Sequence, residues 1–191
     1  MITALDKHTA LILIDLQEGI VHVPRIHSRK ELLAKVIDLI NAFRIATLPI
    51  VIVNVDPTNA PWTKSRKEGN AQHSSPTLIA DFRKIVEEIH TKPEDIFITK
   101  QTWNAFYNTP LHEALQKRKI TGIVLAGIAT SIGVEGTARA ASELGYNISF
   151  AIDAMSDSIL EAHQHSINTI FPRIGEIGDT DQIVAALRNR K

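Results

Sequence analysis

The fold is decided by residues 10–55, whose sequence is ALILIDLQEGIVHVPRIHSRKELLAKVIDLINAFRIATLPIVIVNV. The two ends of this stretch, residues 10–14 and 50–55, are short continuous apolar runs, which are typical of strands buried on both faces of a sheet. Between them, Ser28 and Glu31 have the spacing of a helix capping box, and apolar residues follow at helical spacing. The stretch therefore predicts a βαβ unit.

The same alternation continues along the rest of the chain. Apolar runs at 123–126 and 148–152 predict two further strands, and weaker strand signals lie at 96–99 and 174–177. Helical patterns cover residues 78–90, 110–118, 131–144, 158–170 and 180–189. Because crossovers between parallel strands are right-handed, helices fall on both faces of the sheet. We therefore expect an α/β fold, a three-layer α-β-α sandwich with a mainly parallel sheet of about six strands.

Composition limits the organisation and the partners of the chain. Its 191 residues, of which 44% are hydrophobic, suffice for one substantial core, so we expect a single domain over residues 1–191. The formal net charge is zero, which argues against a nucleic-acid or membrane partner and favours a small-molecule substrate. The first residues, MITALDKHTA, lack a basic segment followed by a long apolar run, so we expect a cytoplasmic protein.

Polar residues follow three of the predicted strands directly. Asp15 follows ALILI, Lys100 follows IFIT, and a turn begins at Gly127 after IVLA. Because ligands bind beyond the carboxyl ends of strands in open parallel sheets, these positions are candidates for a functional site. Burial would raise the pKa of the Asp15 carboxyl and attraction to Lys100 would lower it, so the pair is a tunable proton donor.

Three motifs in these positions resemble the isochorismatase-like cysteine hydrolases. They are DLQ at 15–17, K-x-x-W-x-A-F at 100–106 and G-I-A-T-x-x-G-V-E-x-T-A-R at 127–139, and the resemblance covers nearly the whole chain in order. It implies the strand order 3-2-1-4-5-6 and a cis peptide between Ile128 and Ala129. These residues thus point to a hydrolase of that family.

The resemblance also implies a catalytic triad of Asp15, Lys100 and a nucleophilic cysteine, but Gly133 occupies the position of the cysteine. The chain contains no cysteine at all, so hydrolysis of amides through a thioester is excluded. Relatives named for isochorismate hydrolysis resemble this chain in carrying glycine there. Their reaction cleaves a vinyl ether by protonation and water attack. We therefore expect a hydrolase with Asp15 as general acid and base. The alternative is a catalytically inactive member that serves as a small-molecule-binding or oligomeric scaffold protein.

Further residues are candidates for substrate binding. They are Gln17, Trp103, Phe106, Ile128, Ala129, Thr130 and, in the long irregular stretch 56–76, Arg66. Trp62 also flanks the predicted crevice.

We predict no metal site and no cofactor. The second neighbour of Asp56 is Thr58 rather than a histidine, and His73 alone cannot complete a metal site. His163 and His165 point to nearly opposite sides of a helix, which favours solvated or capping roles. The fold family implies a homo-oligomer, either a dimer or a tetramer.

Overall fold

The computed structural model describes residues 2–58, 60–65 and 81–190, which contain one sheet of six strands. The strands are β1 (Thr9–Ile14), β2 (Ile50–Val55), β3 (Ile96–Lys100), β4 (Gly122–Ile128), β5 (Asn147–Ser156) and β6 (Glu176–Gly178). Their order is β3-β2-β1-β4-β5-β6, and all five neighbouring pairs are parallel. The predicted fold class and strand order are therefore confirmed, and β1 lies in the middle of the sheet.

Helices cover both faces of this sheet. They are α1 (Glu18–Val21), α2 (Arg29–Ile45), α3 (Leu111–Lys117), α4 (Glu135–Glu143), α5 (Leu160–His165), α6 (Phe171–Ile174) and α7 (Thr180–Arg188). The buried residues of α2 and α7 pack against one face, and those of α3, α4 and α6 pack against the other. Within the described ranges, no helix combines the length and the apolar character that a membrane span requires.

The central strand explains why the sequence shows an uninterrupted apolar run. Leu11 and Leu13 point into the core beneath α2, whereas Ile12 and Ile14 point into the core on the opposite face. Successive side chains of a strand alternate between the two faces of a sheet. Because helices cover both faces, every position of β1 is buried, as in other doubly covered parallel sheets.

Two π-helical turns interrupt the helices on either side of β5. One, Thr130–Val134, leads into α4, and the other, Ser166–Ile170, joins α5 to α6. The helical patterns predicted for 131–144 and 158–170 are thus present, but each contains one widened turn. Such turns are frequent at functional sites, and the first of them carries Gly133.

The helix predicted for residues 78–90 is wrong over the described part, 81–90, which forms turns and one isolated bridge. The backbone groups of this segment bond to the chain that follows β1. The N–H of Val86 donates to the carbonyl of Leu16, and the N–H of Gly19 donates to the carbonyl of Phe82. These long-range hydrogen bonds compete with the helical ones, and tertiary context overrides the local pattern.

Candidate active site

Asp15 occupies the first position beyond the central strand. Its backbone N–H donates to the carbonyl of Val53 over 2.9 Å, which fixes it to the neighbouring strand β2. Its φ of 53° lies in the left-handed region, which aspartate tolerates better than most residues with a side chain. The chain therefore turns sharply at the carboxyl end of the sheet, where Asp15 lines a pocket.

Lys100, the last residue of β3, meets Asp15 at this end of the sheet. The Lys100 Nζ donates to Asp15 Oδ2 over 2.6 Å and to the carbonyl of Thr102 over 3.0 Å. Asp15 is 5% exposed and Lys100 is 2% exposed, so the ion pair is buried. The sheet order thus brings together two residues that are 85 positions apart in sequence.

Burial dominates the electrostatics of Asp15. Desolvation raises the pKa of its carboxyl from the ordinary 3.8 to about 6, although the charge of Lys100 and its hydrogen bond lower the pKa. Asp15 Oδ1 is buried and has no hydrogen-bond partner among the described residues. A carboxyl group with one oxygen anchored and the other unpartnered can exchange a proton with a bound molecule near neutral pH.

Gly133 lies directly against this ion pair. A Cβ atom added at Gly133 would lie 3.1 Å from Asp15 Oδ2 and 2.9 Å from Ile14 Cγ2. Any side chain at position 133 would therefore contact the Asp15 carboxylate, and even a methyl group would require Ile14 to shift. The absence of a side chain therefore allows the 128–133 turn to approach Asp15 closely.

The three residues share a pocket of about 200 Å³. Its remaining walls are mostly apolar and are formed by Ile20, Val55, Pro57, Trp62, Thr102, Trp103, Ile128, Ala129 and Ile132, together with Arg25. The peptide between Ile128 and Ala129 is cis, as the family resemblance implied. Both tryptophans of the chain line the pocket, and the indole N–H of Trp62 donates to the carbonyl of Gln101.

Gln17 and Phe106, which were predicted to bind substrate, lie outside the pocket. Gln17 is fully buried, and its amide group donates to the carbonyls of Val55 and Phe82 and accepts from the N–H of Val55. Gln17 therefore links the backbone at the end of β2 to the backbone at Phe82 and does not contact a ligand in the pocket. Phe106 packs against the core on the face of the sheet that α3, α4 and α6 cover, and its ring stacks on that of Tyr146 with centroids 5.8 Å apart. Arg66 lies outside the described residues.

Thr130, also predicted to bind substrate, faces away from the pocket into a buried polar cluster. Its hydroxyl lies 2.8 Å from His163 Nδ1, so His163 is neither solvated nor a helix cap, in contrast to the sequence-based interpretation. Beside it, Asp157 accepts hydrogen bonds from both the N–H and the hydroxyl of Ser131. His163 and Asp157 carried no motif, so sequence reasoning missed this support for the 128–133 turn.

Two backbone N–H groups of the 128–133 turn have partners within the protein. The N–H of Ser131 donates to Asp157 Oδ2, and the N–H of Ile132 donates to the carbonyl of Ala129. These two groups therefore stabilise the turn and do not serve a ligand.

Arg25 is the charged residue of the pocket that sequence reasoning missed. It lies in the irregular segment between α1 and α2, outside the three motifs, and no local pattern distinguishes it from a surface arginine. The structure places it in the wall of the pocket that also contains Asp15 and Lys100.

The described ranges contain no group of three histidine, aspartate and glutamate side chains that could hold a metal ion. Asp56 accepts hydrogen bonds from the N–H of Thr58 over 3.0 Å and from Arg83 Nη1 over 2.9 Å. His73 lies outside these ranges.

Comparison with known proteins agrees with this architecture. Residues 9–182 match the model of the isochorismatase domain family. The chain is 39% identical to the isochorismatase family protein YwoC of Bacillus subtilis over 183 residues, which cover 95% of each protein. It is 36% identical to the solved structure of an isochorismatase family protein from Burkholderia thailandensis, with a TM-score of 0.90 over 98% of this chain and 100% of that one. A shorter match of 112 residues, 56% of this chain and 44% of the relative, is 31% identical to ureidoacrylate amidohydrolase RutB of Acinetobacter baylyi.

Proposed function

The chain belongs to the isochorismatase family, and from this premise we propose that it hydrolyses a small molecule without a covalent cysteine nucleophile, as one of the members with glycine in the cysteine position. The single observation that carries the proposal is the buried Asp15–Lys100 ion pair, in which Asp15 Oδ1 has no partner among the described residues. Asp15 acts as general acid and base, and Lys100 orients it and balances its charge. Gly133 leaves room for substrate or water.

The reaction that suits this arrangement best is hydrolysis of a vinyl ether. The Asp15 carboxyl protonates the terminal alkene carbon, and the π electrons of the double bond form the new C–H bond. The adjacent carbon becomes an oxocarbenium ion, to which water adds, and the Asp15 carboxylate takes one proton of that water, which regenerates the Asp15 carboxyl group and gives a neutral hemiketal. The C–O bond to the leaving group then breaks as the hydroxyl proton of the hemiketal passes to the departing ether oxygen, so that the products are an alcohol and a carbonyl compound. No covalent enzyme intermediate is needed, which agrees with the absence of cysteine.

The raised pKa of Asp15 supports its role as the acid. A carboxyl group at the ordinary pKa of 3.8 is almost fully ionised at neutral pH, whereas one at about 6 retains a useful protonated fraction. Proton transfer by a positioned side chain contributes roughly 100- to 10,000-fold to a rate. Water-mediated hydrolysis of an amide is the competing reaction, because RutB is named as an amidohydrolase.

A substrate panel tests the proposal. Isochorismate, simple enol ethers, ureidoacrylate and simple amides are assayed with the wild type, with Asp15→Asn and with Asp38→Asn, which changes an exposed aspartate on α2. We expect turnover of an enol ether that falls about 100- to 10,000-fold in Asp15→Asn and is unchanged in Asp38→Asn. Turnover that survives in Asp15→Asn would remove Asp15 from the mechanism. Absence of turnover across the panel would favour the inactive scaffold protein.

Replacing Gly133 tests whether only the thiol is missing. In Gly133→Cys the new thiol lies beside Asp15, and we expect hydrolysis of simple amides to appear. Gly133→Ala is the matched control, because it adds the same Cβ and imposes the same shift on Ile14 without a nucleophile. Equal amide hydrolysis in both variants would contradict the assignment of position 133.

Three further properties belong to the same proposal: residues 1–191 form one domain, the protein is cytoplasmic, and it is a dimer or a tetramer. The large exposed side chains of Trp103, Tyr107 and Ile132 support self-association, because apolar surface of this kind often lies at subunit interfaces. Light scattering coupled to size-exclusion chromatography measures the subunit number, and a monomer would refute it.

A further inference from the structure

We propose that Arg25 binds a carboxylate group of the substrate inside the pocket that Asp15 and Lys100 line, so that the substrate is a small carboxylic acid anion. The proposal deepens the proposed function by naming the substrate class, and it rests on that function for the identity of the pocket. Its test measures binding alone, so that the two can fail separately.

The guanidinium of Arg25 is held by two hydrogen bonds, which use only some of its N–H donors. Its Nη2 donates to the carbonyl of Ile20 over 3.2 Å, and its Nη1 donates to the hydroxyl of Ser158. Its Nε is buried and has no hydrogen-bond partner among the described residues. An arginine has five N–H donors, so the hydrogen bonds at Nη1 and Nη2 leave further N–H donors on these two terminal nitrogens for a ligand.

Among the described residues, the charge of Arg25 has no direct counterion, because none of their ion pairs within 4.0 Å includes its guanidinium. Asp157 stabilises the charged form of Arg25 through its field, but burial has the larger effect and lowers the pKa of the guanidinium. The oxygens of Asp157 are occupied by Ser131 and by the N–H groups of Ser158 and Ile159. A partly buried cation in this state favours an incoming anion.

The charges and the size of the pocket favour a carboxylate over a phosphate. The walls carry two cations, Arg25 and Lys100, against the single carboxyl group of Asp15. One excess positive charge matches a carboxylate, whereas a phosphate monoester carries about 1.5 to 2 negative charges. Carboxylates also accept two parallel hydrogen bonds from a guanidinium. The cavity of about 200 Å³, with Trp62 and Trp103 in its walls, has room for a carboxylate attached to one apolar ring.

The two tryptophans give a direct assay of pocket occupancy. Trp62 and Trp103 are the two tryptophans of the chain, and both line this pocket. Intrinsic tryptophan fluorescence should therefore report the binding of a ligand there without any need for turnover. The probes are benzoate and its neutral counterpart benzyl alcohol, titrated into the full-length wild type, Arg25→Gln and Arg25→Lys. Arg118→Gln is the matched control. It removes an exposed arginine that precedes β4 and lies near the amino ends of the strands, whereas the pocket lies at their carboxyl ends.

We expect Arg25→Gln to weaken benzoate binding about 10- to 100-fold, the range for a charge-assisted hydrogen bond, and to leave benzyl alcohol binding within about 2-fold. Arg25→Lys keeps the positive charge but loses the planar guanidinium with its paired N–H donors. Its benzoate affinity should therefore lie between those of the wild type and Arg25→Gln. Arg118→Gln should bind both probes as the wild type does.

Three results would overturn the inference: no benzoate binding to the wild type, no preference for benzoate over benzyl alcohol, or equal benzoate affinity in the wild type and Arg25→Gln. Circular dichroism establishes that each variant is folded, and Arg25→Lys provides the comparison if Arg25→Gln is not. Loss of benzoate binding in the Arg25 variants, without turnover of any panel substrate, would leave the inference standing and refute the proposed function.

Discussion

Replacing Lys100 with methionine should make the stability of the protein depend on pH in a range where the wild type is insensitive to Asp15. The methionine side chain has a similar length but neither the charge nor the hydrogen bond that Lys100 gives to Asp15 Oδ2 over 2.6 Å. Both contributions lower the pKa of Asp15, and burial raises it. Without Lys100, only the effect of burial is left, so the pKa of Asp15 rises above about 6.

The size of this effect follows from the ion pair. An opposite charge in close contact changes a carboxyl pKa by about 1 to 3 units, so removal of Lys100 should raise the pKa of Asp15 well above its value in the wild type. A folded-state pKa above the unfolded value means that the folded protein binds more protons, and its stability falls as the pH rises between the two values. For the wild type this window runs from 3.8 to about 6. In the variant the window extends further, and stability falls by about 1.4 kcal/mol for each additional pH unit.

Urea unfolding of the two proteins at pH 6, 7 and 8 measures the difference. The deficit of Lys100→Met relative to the wild type should grow by about 1 to 2 kcal/mol between pH 6 and pH 8. Histidine titrations contribute equally to both proteins and cancel in the difference. Lys117→Met is the control, because it removes an exposed lysine that pairs with Glu113, and its deficit should stay near zero at each pH. A deficit of Lys100→Met that is the same at pH 6 and pH 8 would refute the coupling of the two buried charges.

Further outcomes follow from single positions. Gly127→Ala should prevent folding, because φ is +119° and a Cβ would lie 2.2 Å from the carbonyl oxygen of Ile14, whereas Gly145→Ala, at φ +82° with open space, should cost only about 1 kcal/mol by thermal unfolding. For an enol ether, kcat/KM should fall tenfold per pH unit above about 6 as Asp15 loses its proton, and a rise instead would identify Asp15 as a base. Gln17→Met should cost about 2 to 5 kcal/mol by urea unfolding, because it removes three hydrogen bonds to partly buried backbone groups; an unchanged stability would show that they contribute nothing.

Local patterns were sufficient to predict the strands, whereas the strand order was predicted from the family resemblance. Residues 10–14 and 50–53 are buried, in agreement with their apolar runs. Asp15 and Lys100 could be predicted as candidate site residues because each lies at the carboxyl end of a strand, and the strand order brings these ends together. The place of Gly133 beside them was predicted from the resemblance alone.

Contacts between distant segments could not be predicted in this way. Residues 81–90 have a helical pattern, but their backbone groups form hydrogen bonds with the loop after β1. No local sequence pattern indicates that these two segments contact each other. Gln17 has the residue type of a ligand-binding group, yet its amide is used by backbone groups 38 and 65 positions away. Arg25 belongs to no motif, because its role depends on where an irregular segment folds against the sheet.

Asp15 directly follows the innermost strand, whereas Arg25, Trp62 and Trp103 lie on connecting segments, so positioning of the carboxyl group and the lining of the pocket depend on different parts of the chain. The strand is fixed by hydrogen bonds to neighbours on both sides, so its position tolerates little change. The connecting segments are less constrained, and replacements there alter which molecules are accepted at little expense in folding. Saturation libraries at positions 25, 62 and 103 should therefore yield many folded clones with altered selectivity, whereas libraries within residues 10–14 should yield few that fold.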